Sequence, residues 1–289
     1  MRVLITGAAG MLGVDVVAAA GGHEVVGLSR ADLDITDPVA VMAVVGDARP
    51  DAVVNCAAFT QVDAAEENVE AANRVNGDGP GVLGAAAAAA GAWVVHVSTD
   101  YVFDGTKRTG PYVESDPVGP RSVYGSSKLA GERALALAAP DSHTIVRSSW
   151  LFGVGGPCFP ATILRAAASR PELKVVADQV GSPTYTPHLA AALLELAQSR
   201  SVVGVTHVAA GGETSWFGFA SALVQAAQRS AAGSLATVNP CSTAEYPLLA
   251  PRPAFSVLRS ERDGVPVLAD WQVGLGEYMA ARAISQRGA

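Results

Sequence analysis

The chain has 289 residues, 49% of them hydrophobic and only 16% charged, with a formal net charge of −7. That balance supports a sizeable core and excludes a disordered chain, and the lack of any Lys/Arg run argues against a nucleic-acid partner. Three widely spaced cysteines, Cys56, Cys158 and Cys241, fit neither a disulfide framework nor a zinc site, and the longest apolar stretches are too broken by glycine and alanine to span a membrane.

The amino terminus runs straight into a strand-like segment, leaving no room for a signal peptide, so the expected location is the cytoplasm. Arg2–Thr6 reads as a buried parallel strand, followed at once by Gly7-Ala8-Ala9-Gly10-Met11-Leu12-Gly13, a helix over 14–20 and a second strand over Glu24–Leu28. A glycine-rich turn between a first strand and a first helix seats a pyrophosphate on the helix amino terminus. The expected cofactor contacts there are Gly7, Gly10, Met11, Leu12 and Gly13. Glycines also serve plain turns, and it is the placement between strand and helix that favours a cofactor.

The end of the second strand reports on which nucleotide is held. A carboxylate there would take the ribose hydroxyl, but the strand ends on Leu28-Ser29-Arg30, a hydroxyl and a guanidinium suited to a 2′-phosphate. NADPH is therefore expected, with NADH left open by Asp32 and Asp34, and Asp34-Ile35 is placed beside the adenine.

Further strands are expected over 51–58, 93–98 and 144–147, the second leading into Ser98-Thr99-Asp100-Tyr101. Ligands in an open parallel sheet sit beyond the carboxyl ends of strands, which puts Thr99 where a substrate carbonyl would lie. His96, inside an apolar strand, reads as a packed core histidine, and the Ala85–Ala90 run as a tightly packed helix. Tyr124 and Lys128 are four apart at the head of a segment of good helix formers, hence on one face, one turn apart. Such pairs are common on plain helix surfaces. Here an ammonium close to a phenol would favour the phenolate and suit the pair to acid-base work on a carbonyl. The expected fold is α/β, a Rossmann-type doubly wound parallel sheet with a smaller, interleaved C-terminal substrate-binding lobe. Residues 1–152 form the dinucleotide-binding part, with returns near 187–209, and 153–289 mainly the lobe.

Taken together, these stretches resemble the dTDP-4-dehydrorhamnose reductase family of the extended short-chain dehydrogenase/reductase superfamily. The likeness runs nearly end to end. It rests on the first glycine motif, Leu33-Asp34-Ile35-Thr36-Asp37, Asn55-Cys56-Ala57-Ala58, Val62-Asp63-Ala64-Ala65-Glu66, Ser98-Thr99-Asp100-Tyr101-Val102-Phe103-Asp104-Gly105, Tyr124-Gly125-Ser126-Ser127-Lys128, Arg147-Ser148-Ser149-Trp150, Asp178-Gln179-Val180-Gly181-Ser182-Pro183-Thr184, Thr214-Ser215-Trp216 and Arg252-Pro253. The resemblance implies Thr99, Tyr124 and Lys128 as catalytic residues, with Lys128 also on the nicotinamide ribose. It adds Ala57, Ala58 and Thr60 to the cofactor contacts, and Thr99, Asp100, Tyr101, Tyr124, Trp150, Gln179, Thr184 and Arg252 to a nucleotide-sugar site. Trp216 is left even between core and site. Pro157-Cys158-Phe159 departs from the family's Asn-Phe near the substrate. Some relatives form a magnesium-bridged dimer; only Asp15 resembles such a ligand, so no metal is assigned and monomer or homodimer stays open. Implied alternatives are a reductase of another dTDP-4-keto sugar, of antibiotic or dihydrostreptose type, and a non-catalytic NADP-binding regulatory subunit. A dehydratase would need an acidic residue where Tyr101 stands.

Overall fold

Alternation in the first strand decides the architecture. In β1 (Arg2–Thr6), Val3 and Ile5 pack into one core and Leu4 into another, and all three are fully buried. A strand buried on both faces needs helices on both, the setting of a parallel α/β sheet. The computed structural model, which describes residues 1–229 and 235–287, has that form. Six parallel strands comprise β1, β2 (Glu24–Leu28), β3 (Ala52–Asn55), β4 (Trp93–Thr99), β5 (His143–Ser148) and β6 (Gly204–His207). Their spatial order is β6-β5-β4-β3-β1-β2. The helices α1 (Met11–Ala19) and α5 (Thr186–Ser199) cover the face bearing Val3, Ile5, Val54, Val95 and Val146. The opposite face, with Leu4, Val53, Val94 and Ile145, lies under α2 (Pro38–Ala48), α3 (Gly79–Ala89) and α4 (Val123–Ala138).

The strand order reverses at β1, which has β2 on one side and β3 on the other. Ligands in such sheets sit in the crevice at that switch. The strand expected over 51–58 stops at Asn55, because the Asn55 side-chain oxygen accepts from the Ala57 backbone N–H at 3.0 Å and turns the chain. The helix expected from residue 14 starts at Met11, directly after a tight turn in which Gly10 N–H donates to the Gly7 carbonyl at 2.9 Å.

A second core gathers Phe152, Ile163, Leu164, Leu173, Phe219, Leu223, Trp271 and Tyr278. It surrounds a parallel pair of strands, Glu172–Val176 with Thr237–Cys241. The lobe expected over 153–289 also runs through residues 230–234 and 288–289, which lie outside the described residues. No helix among the described residues is long and apolar enough to cross a membrane.

Candidate active site

A cavity of about 700 Å³ opens at the switch point between β1 and β3. Gly7, Gly10, Met11, Leu12, Gly13, Ser29, Arg30, Asp34, Ile35, Ala57, Ala58 and Thr60, all expected at the cofactor, line one end of it. The turn into α1 demands glycine: a Cβ on Gly13 would sit 2.1 Å from the Gly7 carbonyl oxygen. Gly10, the residue before α1, offers no side-chain cap, so the first N–H groups of the helix are left for an anionic ligand. At the strand-end side, Asp32 takes both the Ser29 N–H (2.8 Å) and the Ser29 hydroxyl (2.6 Å), and Asp34 takes the Thr36 N–H and hydroxyl. Arg30 and Arg74 flank Asp34, and neither is committed to an ion pair among the described residues. A glycine cradle, an open helix terminus and two unpaired guanidiniums fit a phosphorylated dinucleotide.

Arg74 was not anticipated from the sequence. It lies on a π-helical turn, Asn73–Asp78, in which Asn76 bridges Phe59 and Ser127. Such turns recur at functional sites but leave no local sequence pattern. Phe59, Val62, Val75 and Ser148 also line the cavity without having been expected there.

The other end of the cavity holds Thr99, Asp100, Tyr101, Tyr124, Lys128 and Trp150. Ser122 starts α4, its hydroxyl accepting from the Gly125 N–H at 3.1 Å, which sets Tyr124 in the first turn and Lys128 in the second. Thr99 emerges at the end of β4, donates to Asp100 Oδ1 at 3.0 Å and accepts from Tyr101 N–H at 3.2 Å. Burial pushes the Asp100 carboxyl up to about 6, and its Oδ2 atom is buried without a hydrogen-bond partner. The Tyr101 and Tyr124 rings meet edge to face at 5.5 Å.

One electrostatic expectation needs correcting. Burial pushes the Tyr124 phenol up to about 12, opposed by the Thr99 hydroxyl and reinforced by Asp100. Lys128 is not among the groups acting on the phenol, and its amine instead faces His96 Nε2 at 3.1 Å and donates to the Val97 carbonyl at 2.7 Å. Burial brings Lys128 itself down to about 8, with Glu132 and Cys56 opposing. Tyr124 is thus a phenol that keeps its proton at neutral pH and is set to donate it.

Three residues expected at the nucleotide-sugar site do not reach the cavity wall, since each has found a nearer partner. Gln179 donates to the Thr243 hydroxyl at 3.0 Å. Thr184, fully buried, accepts from Ala210 N–H at 3.1 Å. Arg252 donates to Asp63 from both terminal guanidinium nitrogens, at 2.6 and 2.7 Å. In the same motif as Gln179, Gly181 packs against Trp150: a Cβ there would come 2.5 Å from the Trp150 indole. That indole stacks on Trp216 at 3.5 Å and 4°, and Trp216 both packs on the second core and lines the cavity. Cys158 turns away toward the Gly153 carbonyl and Tyr278, leaving Pro157 on the wall. Asp15 keeps a buried, unpartnered Oδ2 beside Thr186. No cluster of three or more His, Cys, Asp or Glu side chains fit for a metal occurs among the described residues.

Residues 1–284 match a protein-family model described as RmlD substrate binding domain. A dTDP-4-dehydrorhamnose reductase of Mycolicibacterium smegmatis is 44% identical over 97% of this chain and 85% of its own. A crystal structure of a dTDP-4-dehydrorhamnose reductase from Clostridium acetobutylicum superposes with a TM-score of 0.92 at 38% identity, covering 98% of this chain and all of the other. One from Bacillus anthracis, in complex with NADP, superposes with a TM-score of 0.91 at 35% identity, covering 97% and 99%. With the family model matching residues 1–284 and these relatives aligned over nearly the whole chain, the chain belongs to the dTDP-4-dehydrorhamnose reductase family.

Proposed function

We propose that this chain reduces the 4-keto group of a dTDP-4-keto-6-deoxyhexose with NADPH, turning dTDP-4-dehydrorhamnose into dTDP-L-rhamnose. The observation that carries this reading is one cavity with a dinucleotide cradle at one end and two hydroxyl donors, Thr99 and Tyr124, at the other. The Gly7–Gly13 turn and the α1 terminus would hold the pyrophosphate, and Arg30 with Arg74 the 2′-phosphate. The bound reduced nicotinamide supplies the hydride.

The protein's own part is to meet the charge that develops on the carbonyl oxygen. The Thr99 hydroxyl would turn its proton from Asp100 to that oxygen, Tyr124 would donate to it as well, and Tyr124 would pass its proton to the alkoxide. Thr99 is buried and Tyr124 half-buried on the cavity wall, so a bound substrate would shield both donors from bulk water when that charge appears. Tyr101, Trp150 and Trp216 wall the reacting end. The lobe over 153–289 would cover the sugar nucleotide, with 1–152 and the return near 187–209 serving the cofactor. The family relationship supports the same substrate class. The test is NADPH consumption by the purified chain with a panel of dTDP-4-keto-6-deoxyhexoses. We expect kcat/KM to be highest for dTDP-4-dehydrorhamnose; no consumption with any of them would end the reading.

The cofactor choice gives a second expected result. A charge-assisted contact to a partly exposed guanidinium should favour NADPH over NADH by about tenfold, some 1.4 kcal/mol. Arg30→Ala should erode that preference, and adding Arg74→Ala should erase it. The measurement is kcat/KM for both cofactors in each protein; a preference unmoved in the double variant would hand control to Asp32 or Asp34.

A further inference from the structure

Asn55, His96 and Lys128 form a buried row behind the cavity, and its hydrogens do not fit together when Lys128 is an ammonium. Asn55 Oδ1 accepts from the Ala57 backbone N–H at 3.0 Å and from the Thr6 hydroxyl at 2.8 Å. That fixes the amide's orientation, so Asn55 Nδ2 is the donor facing His96 Nδ1 at 3.0 Å. A neutral imidazole that accepts at Nδ1 carries its proton on Nε2. The resulting Nε2–H points at Lys128 Nζ, 3.1 Å away, while Nζ also donates to the Val97 carbonyl at 2.7 Å. An amine can accept from that N–H through its lone pair; an ammonium has none. With Lys128 charged, two N–H groups must face each other somewhere in the row, at Asn55 or at Lys128. Charging His96 would add a second such conflict, and burial, helped by Lys128, already holds its pKa well below the usual value.

We propose that His96 is a positioning residue whose Nε2–H, set by Asn55, loosens the hold of Lys128 on its proton and so makes Lys128 a ready proton donor to the cavity. The inference rests on the reading of Tyr124 and Lys128 as the proton-handling pair. Other groups act on Lys128 from neighbouring elements. Glu132, one turn along α4, favours the ammonium, but Arg147 and Ser98 hold its carboxylate. Cys56, after β3, is pushed up to about 12 by burial and stays an uncharged thiol. Tyr124 keeps its phenol proton. Burial of Lys128 acts in the same direction as His96. Once Tyr124 has given its proton away, a loosely held proton on Lys128 is better matched to replacing it than one on an ordinary lysine.

The chain has only three lysines, Lys107, Lys128 and Lys174, so labelling their ε-carbons yields three NMR titrations, with Lys128 assigned by its loss in Lys128→Met. In the ligand-free wild type, Lys128 should titrate well below the ordinary lysine value of about 10.4, and nitrogen NMR should find the His96 proton on Nε2. Two uncharged substitutions should undo the conflict. Asn55→Ala frees His96 to move its proton to Nδ1, and His96→Gln offers the ammonium a carbonyl oxygen. Each should raise the Lys128 midpoint by roughly one pH unit or more, and the basic limb of the kcat profile should move up with it. A wild-type Lys128 with an ordinary midpoint, or a His96 proton on Nδ1, would overturn the proposal, as would folded variants with an unmoved midpoint. If both variants fail to fold, the two wild-type measurements decide. Because the titration is made without ligand, absence of reductase activity would sink the proposed function and leave this result to stand or fall separately.

Discussion

Tyr124→Phe is expected to leave the chain folded and able to bind NADPH while lowering turnover about 10²–10⁴-fold, the usual worth of a general acid. The loss should fall on kcat rather than on cofactor affinity, because the phenol's contribution comes from the proton it gives up and the charge it meets. Its environment supports that role: burial holds the proton on Tyr124 with a pKa pushed up to about 12, and Thr99 stands close enough to oppose the shift. The packing contact with Tyr101 is edge to face and survives removal of the hydroxyl. Single-turnover kinetics together with a cofactor titration separate the two effects. Near wild-type turnover would take Tyr124 out of the mechanism.

The largest expected effect on stability lies one turn beyond Lys128. Glu132 is bonded bidentately to Arg147 at 2.9 and 2.7 Å and accepts from the Ser98 hydroxyl at 2.6 Å, with both charged side chains at most 5% exposed. This network ties α4 to β4 and β5, so it fixes the helix that carries Tyr124 and Lys128. A buried pair of this kind is weak evidence of net stabilisation, but removing one partner strands the other charge in a medium that cannot solvate it. Glu132→Ala leaves Arg147 with only the Phe103 ring, 5.2 Å away, as a described contact for its charge. The expected cost is about 3–5 kcal/mol, read as a lower urea midpoint at unchanged slope. A shift within about 0.5 kcal/mol, the range of ordinary surface substitutions, would show that the network does not hold α4.

Local pattern and local chemistry were legible in the sequence. The Val3-Leu4-Ile5 run predicts a strand buried on both faces, and the glycine turn, the Ser29-Arg30 strand end and the Tyr124–Lys128 spacing all fall on the cavity wall. What stayed hidden were pairings between segments far apart in the chain. Arg252 is claimed by Asp63 from 189 residues away, and no property of either segment announces the other. Lys128 faces His96 because α4 packs across β4, a contact that the helical spacing of Tyr124 and Lys128 does not contain. Arg74 joins the site through a π-helical turn that shifts the face a regular helix would present. Strand ends moved for a similar reason, since the Asn55 side chain, rather than strand propensity, stops β3.

The central claim is that hydride is delivered to a sugar ketone held against Thr99 and Tyr124. The most direct test is to run the reaction with NADPH deuterated at the transferring position and dTDP-4-dehydrorhamnose, and to locate the label in the product by NMR. The account predicts one deuterium at C4 of the sugar for each NADPH consumed, with that label lost in step with turnover in Tyr124→Phe. Deuterium at another carbon, or a product formed without label, would contradict it.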